Sequence, residues 1–153
     1  MLSIRPLKKD DIPSLKEVID STVLFPSALL DEMVSGYLTD SGTQEIWLTA
    51  EIDAKPIAIA YCVPERLTAG TFNLLLIAVH AREQGRGWGA ALMGFVEQHL
   101  RDTRQRLLIV ETSGLATYER TRHFYEKLGY TREAVIREFY NVGEDKVIFW
   151  KKL

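Results

Sequence analysis

Residues 84–90 read QGRGWGA, with Gly85, Gly87 and Gly89 in alternate positions directly ahead of ALMGFVEQHL, a stretch with good helical pattern. Inside a helix a glycine costs about 1 kcal/mol relative to alanine, so three of them at a helix start call for a reason. The first turn of a helix carries unpaired N–H groups and a partial positive charge, which together form an anion site. Glycines at 85, 87 and 89 clear side chains from the approach of a phosphate, and Gln84 and Arg86 add donors beside Trp88 and Ala90. The plain alternative is a tight turn that packs helix on sheet.

Two kinds of phosphate ligand compete for such a loop. Gly85, Gly87 and Ala90 satisfy the dinucleotide fingerprint G-x-G-x-x-G/A, and Glu111 closes the next apolar run 21 residues after Ala90, where a ribose-binding acid belongs. The context is wrong for it. About eighty residues with their own hairpin precede the motif, and only 42 residues follow Glu111, too few for the rest of a doubly wound sheet.

The elements that must position these residues begin with a short strand, LSIRP, and the helix DDIPSLKEVIDST, with Asp10 or Asp11 as N-cap and Leu15, Val18 and Ile19 on one face. A second helix is expected over SALLDEMVSGYL. EIWLTAEI alternates like a half-buried strand, with Ile46, Leu48, Ala50 and Ile52 inward, and DAKP turns it into PIAIAYCV as an antiparallel hairpin. In TFNLLLIAVH the unbroken apolar run implies a strand covered on both faces. The helix after the glycines should bury Leu92, Phe95, Val96 and Leu100, and the strand LLIVE follows at the distance of a right-handed crossover, parallel to its predecessor. YTREAVIREFY, the loop NVGED and KVIFWKKL close the chain as a second hairpin.

With 153 residues, 46% of them hydrophobic, the chain suits one domain spanning 1–153. A net charge of -2 argues against nucleic acid as a partner. The N-terminal MLSIRPLKKDD has no apolar run of signal or membrane-span length, so a cytoplasmic protein is expected, and no membrane partner. Cys62 is the one cysteine, more at home as a small buried hydrophobe than as a nucleophile. His99 and His123 share no metal-ligand spacing with each other or with Cys62, and no metal is expected.

Along its whole length the sequence resembles the GNAT superfamily of acyl-CoA N-acyltransferases. That family's motif Q/R-x-x-G-x-G/A stands here as Gln84, Gly87 and Gly89, and its F-Y-x-K-x-G-F/Y signature as Phe124, Tyr125, Glu126, Lys127, Leu128, Gly129 and Tyr130. The resemblance implies an α/β fold with a mixed central sheet of about seven strands, antiparallel at the N-terminal side, parallel between the fourth and fifth strands, and flanked by about four helices.

It also implies acetyl-CoA as cosubstrate, its pyrophosphate held by the N–H groups of residues 84–90, with Arg82 or Arg86 near the phosphates. The backbone of Ile77, Ala78 and Val79 would bond the pantetheine arm. By the same resemblance Tyr125 is the proton donor to the departing thiolate, Tyr118 stands where many members have Asn and is a spare acid, and Thr121 replaces a common Ala. Glu111 would take the amine proton or hold a cationic substrate, or else pair with an arginine as a solvated strand end, and His80 is a weaker base candidate. Acceptor sites in the family draw on stretches that here include Phe25, Asp31, Glu32, Glu65, Arg66, Phe139, Tyr140 and Asp145. The expected activity is direct acetyl transfer to a primary amine in a ternary complex, with a CoA-binding sensor of the same fold as the alternative; a homodimer is compatible with either.

Overall fold

In the computed structural model, which describes residues 1–153, seven strands form one mixed sheet in the order β1-β2-β3-β4-β5-β7-β6. The strands are β1 (Leu2–Pro6), β2 (Ile46–Ile52), β3 (Lys55–Pro64), β4 (Thr71–Val79), β5 (Leu107–Ser113), β6 (Thr131–Asn141) and β7 (Glu144–Lys152). Four helices accompany them: α1 (Ile12–Thr22), α2 (Leu30–Thr39), α3 (Trp88–Asp102) and α4 (Glu119–Lys127). The single parallel ladder, β4 with β5, runs from Thr71↔Leu107 to Leu74↔Val110. This is the fold that the order of motifs implied. Contacts group the chain into two compact units, Met1–Val63 with Leu76–Gln98, and Pro64–Leu75 with His99–Leu153, and the boundary passes through β4 and through α3.

The first unit is built on α1 and α2. Leu15, Val18 and Ile19 from one, and Leu30 and Val34 from the other, are buried with Trp47, Ile59, Leu76 and Ala78. Trp47 stacks on Tyr61 at 3.7 Å between ring centroids and donates its indole N–H to Glu45 Oε2. Strand β2 departs from simple alternation, because Trp47, Leu48, Thr49 and Ala50 are all buried and both of its faces are covered. On α3 the inward residues are Leu92, Met93, Val96 and Leu100, while Phe95 is 37% exposed. The i, i+3, i+4 spacing located the helix and three of the four expected buried residues, while Met93 takes the inward place expected of Phe95.

Asp11 is the N-cap of α1 by position, yet its side chain makes no capping bond. It receives Arg5 Nη1 at 2.7 Å, the Lys8 N–H at 2.8 Å and the Thr49 hydroxyl at 2.9 Å, and Arg5 also reaches Glu51. Arg5 above all holds the Asp11 carboxyl down, at about 2 against its ordinary 3.8, in spite of burial. A carboxyl lowered on folding stabilises the native state above pH 3.8, and that contribution is lost as the pH falls toward 2. Denaturant titrations should therefore show wild type losing about 2 kcal/mol more than Asp11→Asn across this window. Parallel acid profiles for the two proteins would overturn the assignment.

The second unit has two dissimilar sheet faces, fixed by strand register. Phe72, Leu74, Leu108, Val110, Val147 and Phe149 alternate onto one face and are all buried. Helix α4 covers it, with Tyr125 at 5.5 Å from Phe149 and 5.9 Å from Tyr130. It ends at Gly129, whose φ of 88° is left-handed, where the Tyr130 N–H reaches back to the Tyr125 carbonyl and the Gly129 N–H to that of Glu126. That is the physical role of the glycine in the F-Y-x-K-x-G-Y signature. The opposite face carries Asn73, Glu111, Ser113, Glu144 and Lys146.

Candidate active site

The glycine loop lies in the first unit, between the end of β4 and α3. Gly85 and Gly87 have φ of 77° and 83°, a region that side chains disfavour, and a Cβ built on either would meet nothing within 4 Å. The backbone is thus both left-handed and open. Gly87 supplies the first helical acceptor, its carbonyl taking the Ala91 N–H at 3.0 Å, so the N–H groups of Trp88, Gly89 and Ala90 fall in the first turn without intrahelical partners. Gln84 closes the loop rather than facing outward, since its Nε2 donates to the Val79 carbonyl at 3.0 Å. Arg86 is exposed and pairs with Glu83 at 3.1 Å. Trp88 Nε1 is buried without a hydrogen-bond partner.

The stretch ahead of the loop, Ile77, Ala78 and Val79, lies beyond the last β4–β5 pair, with Ala78 buried and its two neighbours half-buried. His80 donates its backbone N–H to the Ile57 carbonyl and accepts the Arg82 N–H on Nδ1, which makes it a turn residue. Open left-handed glycines, an uncommitted helix start and an orphaned indole N–H fit a pyrophosphate well.

In the second unit the polar face follows from register. Lys146 stands opposite Ser113, two residues from Glu111 on the same side of β5, and Asn73 stands level with Ile109, two residues to the other side. Lys146 Nζ contacts Glu111 Oε2 at 2.9 Å, and Asn73 Nδ2 donates to Glu111 Oε1 at 3.3 Å and to Glu65 Oε1 at 2.8 Å. The Lys146 ammonium also lies over the Phe139 ring, 3.5 Å from its centroid. Ser113 donates its hydroxyl to Glu144 Oε2, and buried Arg122 donates to the Ser113 and Leu115 carbonyls. Burial raises the Tyr140 phenol, and the charges of Glu111 and Glu144, with Tyr118, add to the rise. Glu111 is therefore paired with a lysine of the adjacent strand, where the sequence offered an arginine as the plain alternative.

The sequence model of the acetyltransferase (GNAT) domain matches residues 43–132. A GNAT-family protein from Desulfovibrio desulfuricans is 33% identical, with a TM-score of 0.92 over 99% of both chains. The chain belongs to the GNAT acetyltransferase family. Two further solved structures share the fold of this GNAT protein. The ribosomal-protein-S18-alanine N-acetyltransferase of Escherichia coli has a TM-score of 0.80 at 22% identity, covering 99% of this chain and 94% of that one. The yncA protein of Salmonella typhimurium, solved with acetyl-CoA, has a TM-score of 0.79 at 18% identity, covering 99% and 94%. No curated protein matches the chain. No helix of this GNAT protein is long and apolar enough to cross a membrane.

Tyr125, on α4, and Glu111, on β5, lie at opposite faces of the second unit's sheet. The Tyr125 ring is 3% exposed and packs on Phe149, on the side away from Lys146 and Glu111. Burial raises its phenol above the ordinary 10.0. Tyr118 precedes α4 in a 3-10 turn, so it does not continue the helical row of Tyr125. Cys62 is buried with its thiol pushed up to about 12, which makes it inert. The site residues that the sequence did not single out are Lys146, Asn73 and Glu144. Asn73 signals itself as a polar residue set between Phe72 and Leu74, whereas Lys146 and Glu144 lie in the polar run GEDK and carry no local signal.

Proposed function

We propose that this chain works as one acetyl-CoA-dependent N-acetyltransferase domain, in the cytoplasm, passing an acetyl group directly to a primary amine of a small molecule or peptide in a ternary complex. The observation that carries the reading is the open, left-handed glycine loop ahead of α3 in a GNAT chain. Acetyl-CoA supplies the acetyl thioester. The N–H groups of residues 84–90 hold its pyrophosphate, with Gly85, Gly87 and Gly89 leaving room, and the backbone of Ile77, Ala78 and Val79 holds the pantetheine. A solved neighbour with acetyl-CoA and another that acetylates an alanine support cosubstrate and amine chemistry alike.

Glu111 receives the proton that an ammonium must lose before its nitrogen lone pair attacks, directly or through a water. Tyr125 gives a proton to the thiolate that departs. Thiol release from acetyl-CoA, measured across small amines, polyamines, amino acids and lysine peptides, tests the whole reading, and folded protein that binds acetyl-CoA yet releases no thiol with any of them would sink it. Within that assay Glu111→Gln should lower kcat roughly 100-fold or more, the usual contribution of a positioned base, with acetyl-CoA affinity near wild type. Unchanged kcat/KM at every pH would return Glu111 to a structural ion pair.

A further inference from the structure

A base on a strand end works only if one lone pair is kept toward its substrate, and a lone carboxylate rotates freely. On this polar face Glu111 does not rotate freely. Its Oε2 is held by Lys146 Nζ at 2.9 Å, and its Oε1 has one long contact of 3.3 Å from Asn73 Nδ2. The lysine is itself fixed: its side chain is only 9% exposed, and its ammonium is clasped between the Glu111 carboxylate and the Phe139 ring, 3.5 Å from the centroid. Asn73 is 3% exposed and has both carboxylates, Glu65 and Glu111, as acceptors for its amide nitrogen, which sets the orientation of its head. The remaining polar groups on this face, Glu144, Tyr118 and Tyr140, have no hydrogen bond to Glu111, and Glu144 is taken up by Ser113.

We infer that Lys146 is the positioning residue of Glu111: it occupies Oε2 and leaves Oε1 as the oxygen that receives the amine proton. The inference rests on the proposed role of Glu111 as proton acceptor. Lys146 touches neither acetyl group nor amine and acts only through Glu111, with the Phe139 ring holding the lysine from the other side.

The test is a cycle of Lys146→Met, Glu111→Gln and the double variant, each assayed with acetyl-CoA and the amine that gives wild type its greatest turnover. Lys146→Met should lower kcat roughly tenfold to hundredfold, as expected when a reacting group loses its alignment, with the KM for acetyl-CoA within twofold of wild type. The double variant should be no slower than Glu111→Gln alone, since a residue acting only through Glu111 has nothing left to position. A Lys146→Met enzyme with wild-type kcat, or losses that multiply in the double variant, would overturn the inference while leaving Glu111 in its role. Wild-type kcat in Glu111→Gln would instead remove the role itself. If Lys146→Met does not fold, stability decides: the double variant regains the lost Tm when the damage came from leaving Glu111 without its cation, and stays as unstable when Lys146 merely packs.

Discussion

Gly87→Val is expected to abolish measurable acetyl-CoA binding in a protein that stays folded. Gly87 has φ of 83° and no atom within 4 Å of a Cβ built on it, so the added side chain meets no neighbour in the protein and the core has no reason to fail. The backbone is another matter. A β-branched residue held in the left-handed region costs about 1–3 kcal/mol, which the loop relieves by moving to negative φ. Gly87 also provides the carbonyl that receives the Ala91 N–H, so that movement unravels the first turn of α3 and turns its free N–H groups away. Any valine that stays in place fills the open approach instead. Both routes remove the anion site, and calorimetry with acetyl-CoA beside circular dichroism reads them together. A folded Gly87→Val protein with wild-type affinity would end the phosphate-loop reading.

The loop was legible because its signal is local. Three glycines and a helix pattern adjoin in sequence, and Gly85 and Gly87 take positive φ with open space around them at those same positions. Strand order was legible for a related reason, since hairpin turns and a crossover length constrain neighbours. What escaped was long-range pairing. Of the two cap candidates, Asp10 and Asp11, it is Asp11 that stands at the start of α1, but its acceptor capacity goes to Arg5 and Thr49 across β1 and β2, which capping rules do not register. Lys146 lies 35 residues from Glu111, and only the β5–β7 register that sets it opposite Ser113 brings the two together. A shift of one residue would send Lys146 to the Phe149 face, away from Glu111. The same limit hid the separation of Glu111 from Tyr125: only alternation across paired strands reveals that β5 turns Glu111 to one face of the sheet while Tyr125 packs on Phe149 at the other.

The proposed mechanism has two proton transfers, one at Glu111 and one at Tyr125. Tyr125→Phe isolates one of them. The ring of Tyr125 is 3% exposed among Phe124, Tyr130 and Phe149, and Phe keeps those aromatic contacts, so thermal stability should stay within a few degrees of wild type. Acetyl-CoA affinity should also persist, because the glycine loop is untouched. Turnover should fall roughly 100- to 10,000-fold, the range for loss of a positioned general acid. Burial alone raises the phenol above 10.0, which weakens it as an acid in the resting protein. The relevant quantity is the difference between donor and acceptor, and apolar surroundings raise the proton affinity of a departing thiolate as they raise that of the phenolate. The raised phenol has a consequence for the sign of the pH dependence. Tyr125 remains protonated, and so competent as an acid, up to and beyond pH 10, so wild-type kcat should show no decline from tyrosine ionisation below that value. Tyr118→Phe should have the smaller effect, since Tyr118 lies in the turn ahead of α4 rather than on its helical row. Wild-type kcat in Tyr125→Phe, with the chemical step shown to limit turnover, would make Tyr125 a core residue and leave the thiolate to another donor.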